Sequence, residues 1–107
     1  MPIFDALADP TRRRIIELLA ERERSVGEIV DCFEITQPAI SRHLRVLRGA
    51  GVVSFVGDGQ RRVYRFEPSA LEALDDWAER RRRACSRRLD ALEAHLEQRS
   101  SGKRRRR

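Results

Sequence analysis

Residues 35–51 read ITQPAISRHLRVLRGAG, a stretch with the makings of a helix whose two faces differ in chemistry. Thr36 or Gln37 can cap it, and Pro38 falls in the first turn, where its missing N–H costs nothing. Gly49 and Gly51 supply backbone freedom to stop the helix and turn. Ile40, Leu44 and Leu47 recur at i, i+4, i+7 as one apolar stripe. Opposite lie Pro38, Ser41, Arg42, Arg45 and Arg48, and no carboxylate occurs between Thr36 and Ser54. Arginine bonds bidentately to guanine edges or clamps phosphate oxygens, and serine and glutamine bond bases or backbone. Such a face suits a helix that enters the major groove of DNA. It also suits an ordinary solvated basic surface, and the neighbouring segments decide between the two.

Those segments favour the groove reader. Ser25, followed by Glu28, has the capping-box pattern, and the run from Val26 to about Phe33 is apolar at Val26, Ile29, Val30 and Phe33. A turn of three or four residues, ending at Thr36, leads into the basic helix. Two short helices joined tightly, the second basic on its outer face, make a helix-turn-helix. Past Gly51 the periodicity changes. Residues 52–56 and 61–66 are rich in β-branched and aromatic side chains, and Gly57-Asp58-Gly59-Gln60 between them contains Asp-Gly, a strong hairpin signal. A hairpin directly after a recognition helix is a wing. Arg61 and Arg62 stand near its tip, within reach of a phosphate or the adjacent minor groove. The expected fold is mainly α with a small β-hairpin: a winged helix-turn-helix over residues 1–98.

Upstream, Pro2 to Ala8 reads as a short helix with apolar Ile3, Phe4 and Leu7, and Asp9-Pro10 ends it and caps the next. That second helix, to about Arg22, buries Ile15, Ile16, Leu18 and Leu19. Arg12, Arg13 and Arg14 sit in its first turn, where the helix dipole disfavours cations. They reach phosphate or pair with acids such as Asp5 and Asp9, and the pairing is preferred. The last helix runs from about Ser69 to Gln98, its apolar stripe interrupted by Arg80–Arg83. Leu89, Leu92 and Leu96 lie beyond what so small a core can cover, and bare apolar surface is unfavourable in water. This predicts a homodimer through the first and last helices, with Ile3, Phe4, Leu7, Leu89, Leu92 and Leu96 at its interface. Residues 99–107 are too polar to fold alone and read as a disordered basic tail.

The composition is that of one small globular domain: 107 residues, 40% hydrophobic and 37% charged. A chain of this size buries roughly 60–65% of its unfolded surface, so a partner subunit is a natural stabiliser. The net charge is +6, but Lys103–Arg107 account for +5 of it. Between Thr36 and Phe66, six arginines face one acid, Asp58. Clustered basic charge on a nearly neutral body is the footprint of nucleic-acid binding, and the groove-reading helix with its wing makes double-stranded DNA the expected partner. No apolar run approaches the roughly 20 residues of a membrane span, and Met1-Pro2-Ile3-Phe4 does not begin a signal peptide, so a cytoplasmic protein with no membrane partner is expected. Cys32 and Cys85 lack metal-site spacing and read as reduced thiols, Cys32 packing as a small hydrophobe beside Phe33. With no nucleophile–base pairing, phosphate-cradling glycine loop or metal cluster, an enzyme is the least favoured class, and neither a cofactor nor a metal is expected.

Taken in order, DPTRRRIIELL, SVGEI, TQPAISRHLRVLRGAGVV and a GQRRVYRFE hairpin resemble the ArsR-type family of bacterial winged-helix repressors, over about residues 3–96. The resemblance implies a homodimeric repressor bound to an operator, often its own. By position it places base reading on Gln37, Ser41 and Arg42, with Pro38 and Arg45 beside them, and wing contacts on Arg61 and Arg62. His43 occupies the place of a histidine frequent in this motif, and packing is as good a role for it as a DNA contact. Metal-sensing members carry a Cys-x-Cys pair where this chain has Ser25 and Gly27, or ligand sets on the last helix where it has only His95. The likeness is therefore to the metal-free branch, with no effector assigned. Two alternatives stand beside this reading: a thiol switch through Cys32 and Cys85, and a non-specific architectural protein.

Overall fold

The computed structural model describes the backbone of residues 1–105 and the side chains of residues 1–59 and 61–99. It divides into two compact units, Met1–Glu72 and Ala73–Arg107. The first unit contains α1 (Pro2–Ala8), α2 (Pro10–Glu21), β1 (Arg24–Ser25), α3 (Val26–Asp31), α4 (Gln37–Gly49), β2 (Val53–Val56), a 3₁₀ turn (Gly59–Arg61) and β3 (Val63–Phe66). The last helix, α5 (Ser69–Arg105), begins within it and forms the second unit. The winged helix-turn-helix reading thus holds. The sheet has one strand more than expected: β1 pairs with β3 through Arg24↔Tyr64 and Ser25↔Val63, giving the antiparallel order β1-β3-β2. Two residues carry no periodicity, so the pattern of side chains could not reveal that strand.

Local chemistry sets the helix ends. The Asp9 carboxylate accepts from Thr11 N at 2.8 Å and Arg12 N at 3.1 Å. Ser25 and Glu28 form the reciprocal capping box of α3. Thr36 Oγ1 accepts from Ala39 N and caps α4. Helix α3 stops at Asp31, short of Phe33, because Cys32 N and Phe33 N bond back to Ile29 and Val30 carbonyls and tighten its last turn. At the far end of α4, Gly49 remains helical and only Gly51 takes positive φ, 75°. Gly51 N bonds Arg48 O and Val52 N bonds Leu47 O, a Schellman closure in which both Leu47 and Val52 are buried.

The core of the first unit is built on α4. Ile40, Leu44 and Leu47 are essentially inaccessible, together with Ile15 from α2, Ile29 from α3 and Val52. Helix α4 touches α1, α2, α3 and β2, so its apolar stripe meets a neighbour along its whole length. Arg12 and Arg13 do not pair with the carboxylates of Asp5 and Asp9. Arg12 donates to the carbonyls of Asp5 and Ala6, and Arg13 donates to that of Leu7. Unpaired carbonyls at the end of α1 are the better acceptors, being fixed in place and at the negative end of a helix.

The wing is not a two-residue Asp-Gly turn. Asp58 has φ −139°, while Gly57 and Gly59 take the positive values of 96° and 51° on either side of it. A Cβ on Gly57 would lie 2.6 Å from Arg61 O. In the second unit, α5 is helical to Arg105, past the Gln98 end and into the stretch expected to be a disordered tail; the side chains of that stretch from residue 100, and all of residues 106–107, lie outside the described residues. Arg82 and Arg83 both bond Glu79, and Arg81 lies 5.5 Å from the Trp77 ring centre. No helix among the described residues is long and apolar enough to cross a membrane.

Glycine conformation and the Asp9 cap each lead to a stability measurement. Gly51→Ala should cost about 1–2 kcal/mol for its left-handed backbone alone, since nothing lies within 4 Å of the new Cβ. Gly57→Ala adds a collision with the backbone and should lower the urea midpoint further. Asp9 is held below its ordinary 3.8, first by the Arg12 N–H and then by Thr11 N–H. Its stabilisation is present above that ordinary value and lost as pH falls through the lowered one. Asp9→Asn, still a good cap, should match the parent near neutrality and lose less stability on acidification, read by melts from pH 7 to pH 3.

Candidate nucleic-acid interface

With its stripe buried, α4 presents the rest of its surface outward as two edges. Gln37, Ser41, Arg45 and Arg48 follow one edge and line a cleft of about 320 Å³ shared with Gly59 and Arg62 of the wing. Val26 and Tyr64 complete its wall. Arg42 and Val46 follow the other edge, in a shallower groove with Ala39, His43 and Arg12. Pro38, the second residue of the helix, is exposed at its start. The single outward face read from sequence is therefore split. One half looks at the wing and the other at α2.

Pairing with acids distinguishes six arginines of the chain from those of α4 and the wing turn. Arg14, Arg22, Arg24, Arg65, Arg82 and Arg83 each pair with a carboxylate. Among the described residues, Arg42, Arg45, Arg48, Arg61 and Arg62 have no such partner. No acid lines either groove. Five guanidiniums thus stand without an acid on one helix and the turn of its wing, an arrangement that attracts polyanions.

The wing arginines are not equivalent. Arg61 is exposed in the 3₁₀ turn, as a tip residue should be. Arg62 is half-buried, with its guanidinium carbon 4.3 Å from the Phe55 ring centre. Arg48 stands at the same 4.3 Å from that ring. Phe55 in turn packs against Tyr64, its direct partner across the hairpin, with ring centres 5.2 Å apart. The Arg62 Nε is enclosed without an acceptor among the described residues. Sequence reasoning placed Arg48 on the outer face but gave it no site role, and missed Phe55. The signal available was an aromatic in the first wing strand with arginines on both sides in the chain.

His43 is half-buried, its Nδ1 3.4 Å from an Arg12 guanidinium nitrogen, which fits the packing role. Cys32 does not pack as a hydrophobe. It is exposed, and its thiol donates to Glu28 O at 3.3 Å. Cys85 is exposed as well. Of the residues expected at a dimer surface, Ile3 is instead buried in the core of its own unit at 5% exposure, Leu7 is half-buried and Phe4 is exposed. Leu89, Leu92 and Leu96 are all more than half exposed. Among the described residues no three His, Cys, Asp or Glu side chains are grouped so as to hold a metal ion.

Residues 9–54, from the α2 cap to the first wing strand, match the family model described as bacterial regulatory protein, arsR family. The chain is 37% identical over 75 residues to the transcriptional repressor SdpR of Bacillus subtilis, covering 70% of this chain and 83% of that protein. The chain belongs to the ArsR family. Like other members, this ArsR-family protein is a DNA-binding regulator of transcription. It is also 45% identical over 71 residues to the HTH-type transcriptional regulator Rv2034 of Mycobacterium tuberculosis, and spans about two thirds of that protein's length, 66%. Its fold matches the ArsR-like transcriptional regulator from Rhodococcus sp. RHA1 with a TM-score of 0.82 at 29% identity, over 90% of this chain and 88% of that one. Ser25 serves this regulator as the α3 cap, with Gly27 two residues on.

Proposed function

We propose that this regulator is a homodimeric repressor that reads a pseudo-palindromic operator, with α4 in the major groove and the wing on the adjoining backbone. The observation that carries this reading is the set of five arginines, on α4 and at the wing turn, that lack carboxylate partners, while Arg65 farther along the wing and five arginines of other elements are paired. Gln37, Ser41 and Arg42, in the N-terminal half of α4, read base edges, as recognition helices do from that end. Pro38 makes the closest approach of the helix start to the DNA. Arg45, Arg61 and Arg62 hold phosphates and so set register. The name of the SdpR relative supports the repressive sign. The protein acts in the cytoplasm, where bacterial DNA lies, and no metal or small-molecule effector enters this scheme.

The dimer reading rests on exposed apolar surface. Leu89, Leu92 and Leu96 recur at i, i+3, i+7 on one face of α5, each more than half exposed, and Phe4 with Leu7 adds a second patch on α1. A second copy covers both, and its own α4 then lies in the next major groove, about 34 Å away.

Two measurements test the scheme. Arg42→Ala should weaken binding to a duplex selected from a random pool by about 1–3 kcal/mol and relax preference at one operator position; equal losses on every sequence would move Arg42 to the backbone. In sedimentation equilibrium the unaltered chain should run as two copies and Leu92→Glu should run as one. A parent already at the mass of one chain would overturn the dimer.

A further inference from the structure

The cleft between α4 and the wing is lined by three arginines, Arg45, Arg48 and Arg62, together with Ser41 and Gln37. Like charges so placed repel one another, and no carboxylate in the cleft offsets them. Two of the three are held by an aromatic ring. Arg48 and Arg62 each lie 4.3 Å from the centre of Phe55, which is itself seated on the buried Tyr64. A cation–π contact attracts a guanidinium through its face and leaves in-plane N–H donors available; for Arg62 these are the terminal Nη donors, since its Nε is enclosed. An ion pair would have consumed those donors. The ring therefore fixes position without reducing the capacity to bind an anion.

The two arginines come from separate elements. Arg48 is in the last turn of α4, away from the end that reads bases, and Arg62 follows the 3₁₀ turn of the wing. Their meeting point at Phe55 is where helix and wing converge. A phosphodiester offers two non-bridging oxygens, which suits paired guanidinium donors.

We infer that Phe55 is a positioning residue that holds Arg48 and Arg62 as a clamp on one phosphodiester of the DNA backbone, so that the recognition helix and the wing grip the same phosphate. This rests on the DNA-binding reading and adds to it a phosphate-binding role for Arg48 and a supporting role for a ring that touches no DNA. Because a phosphate carries no sequence, the clamp contributes affinity and register, and contributes equally on every duplex.

The test uses the full chain, fluorescence anisotropy over a salt series, and two duplexes: one enriched by the unaltered protein from a random pool, and a shuffled duplex of the same composition. Phe55→Leu and Arg48→Gln should each weaken both duplexes by the same factor, about tenfold or more. Each should also reduce the slope of log affinity against log salt by about 1 for every phosphate that is no longer neutralised. Phe55→Trp, which keeps a π face, should retain parental affinity and slope. Arg48→Gln added to Phe55→Leu should cost little more, because both remove one clamp. Should Phe55→Leu fail to fold by circular dichroism, Arg48→Gln and Arg62→Gln decide the matter, since each leaves the ring in place. Parental affinity and salt slope in these variants would overturn the clamp. So would a Phe55→Trp as weak as Phe55→Leu, or losses confined to the enriched duplex with an unchanged slope, which would make Arg48 a base reader. If the unaltered protein enriches no sequence and binds neither duplex, the DNA-binding reading itself falls.

Discussion

The structure depends on the burial of one stripe, Ile40, Leu44 and Leu47. A helix has one rotation that hides three large apolar side chains at once, and that rotation leaves every arginine of α4 outside. Each of these side chains contributes roughly 1.5–3 kcal/mol when taken fully out of water, more than any exposed polar contact on the same helix can supply. The direction in which Ser41, Arg42, Arg45 and Arg48 point is therefore set from within. The basic outer surface is a consequence of the core.

The ends of α4 translate that rotation into position. Thr36 starts the helix, and the Gly51 closure returns the chain so that Val52 is buried against its end and β2 runs back beside it. From there the hairpin register places Phe55 opposite Tyr64, and the conformation of Gly57 brings Arg61 O too near for a side chain. Arg62 arrives at the Phe55 ring by this route. Helix and wing are thus joined by backbone geometry first and by the arginine–aromatic contacts second. The contacts are weak individually, but they act on side chains whose freedom the backbone has already reduced.

Arginine chemistry differs across the chain according to what lies nearby. Arg24 bonds Leu18 O and Glu21, and Arg12 and Arg13 bond the last carbonyls of α1. These are structural uses, in which a cation closes a helix end. On α4 and at the wing turn the same side chain meets no carboxylate, and none lines either groove, whereas Arg65 farther along the wing pairs with Glu67. The partition between structural and available arginines arises from where acids are missing rather than from where arginines are present.

What the amino-acid sequence determined by itself were the features carried by neighbouring residues. The capping box at Ser25 and Glu28, the Asp9-Pro10 junction, the stripe of α4, the two wing strands and the resemblance to the ArsR family were legible because each depends on spacing within one element. What only the tertiary structure decided were contacts between elements. The strand at Arg24–Ser25 exists because β3 pairs with it. The carbonyl partners of Arg12 and Arg13 come from another helix, and burial claims Ile3 while exposing Cys32. Phe55 acquired its role the same way, between arginines that stand 14 residues apart in the chain and meet at one ring. Periodicity reports which face of an element is apolar, but which side chain of one element meets another depends on how the elements pack, and that is a property of the folded chain.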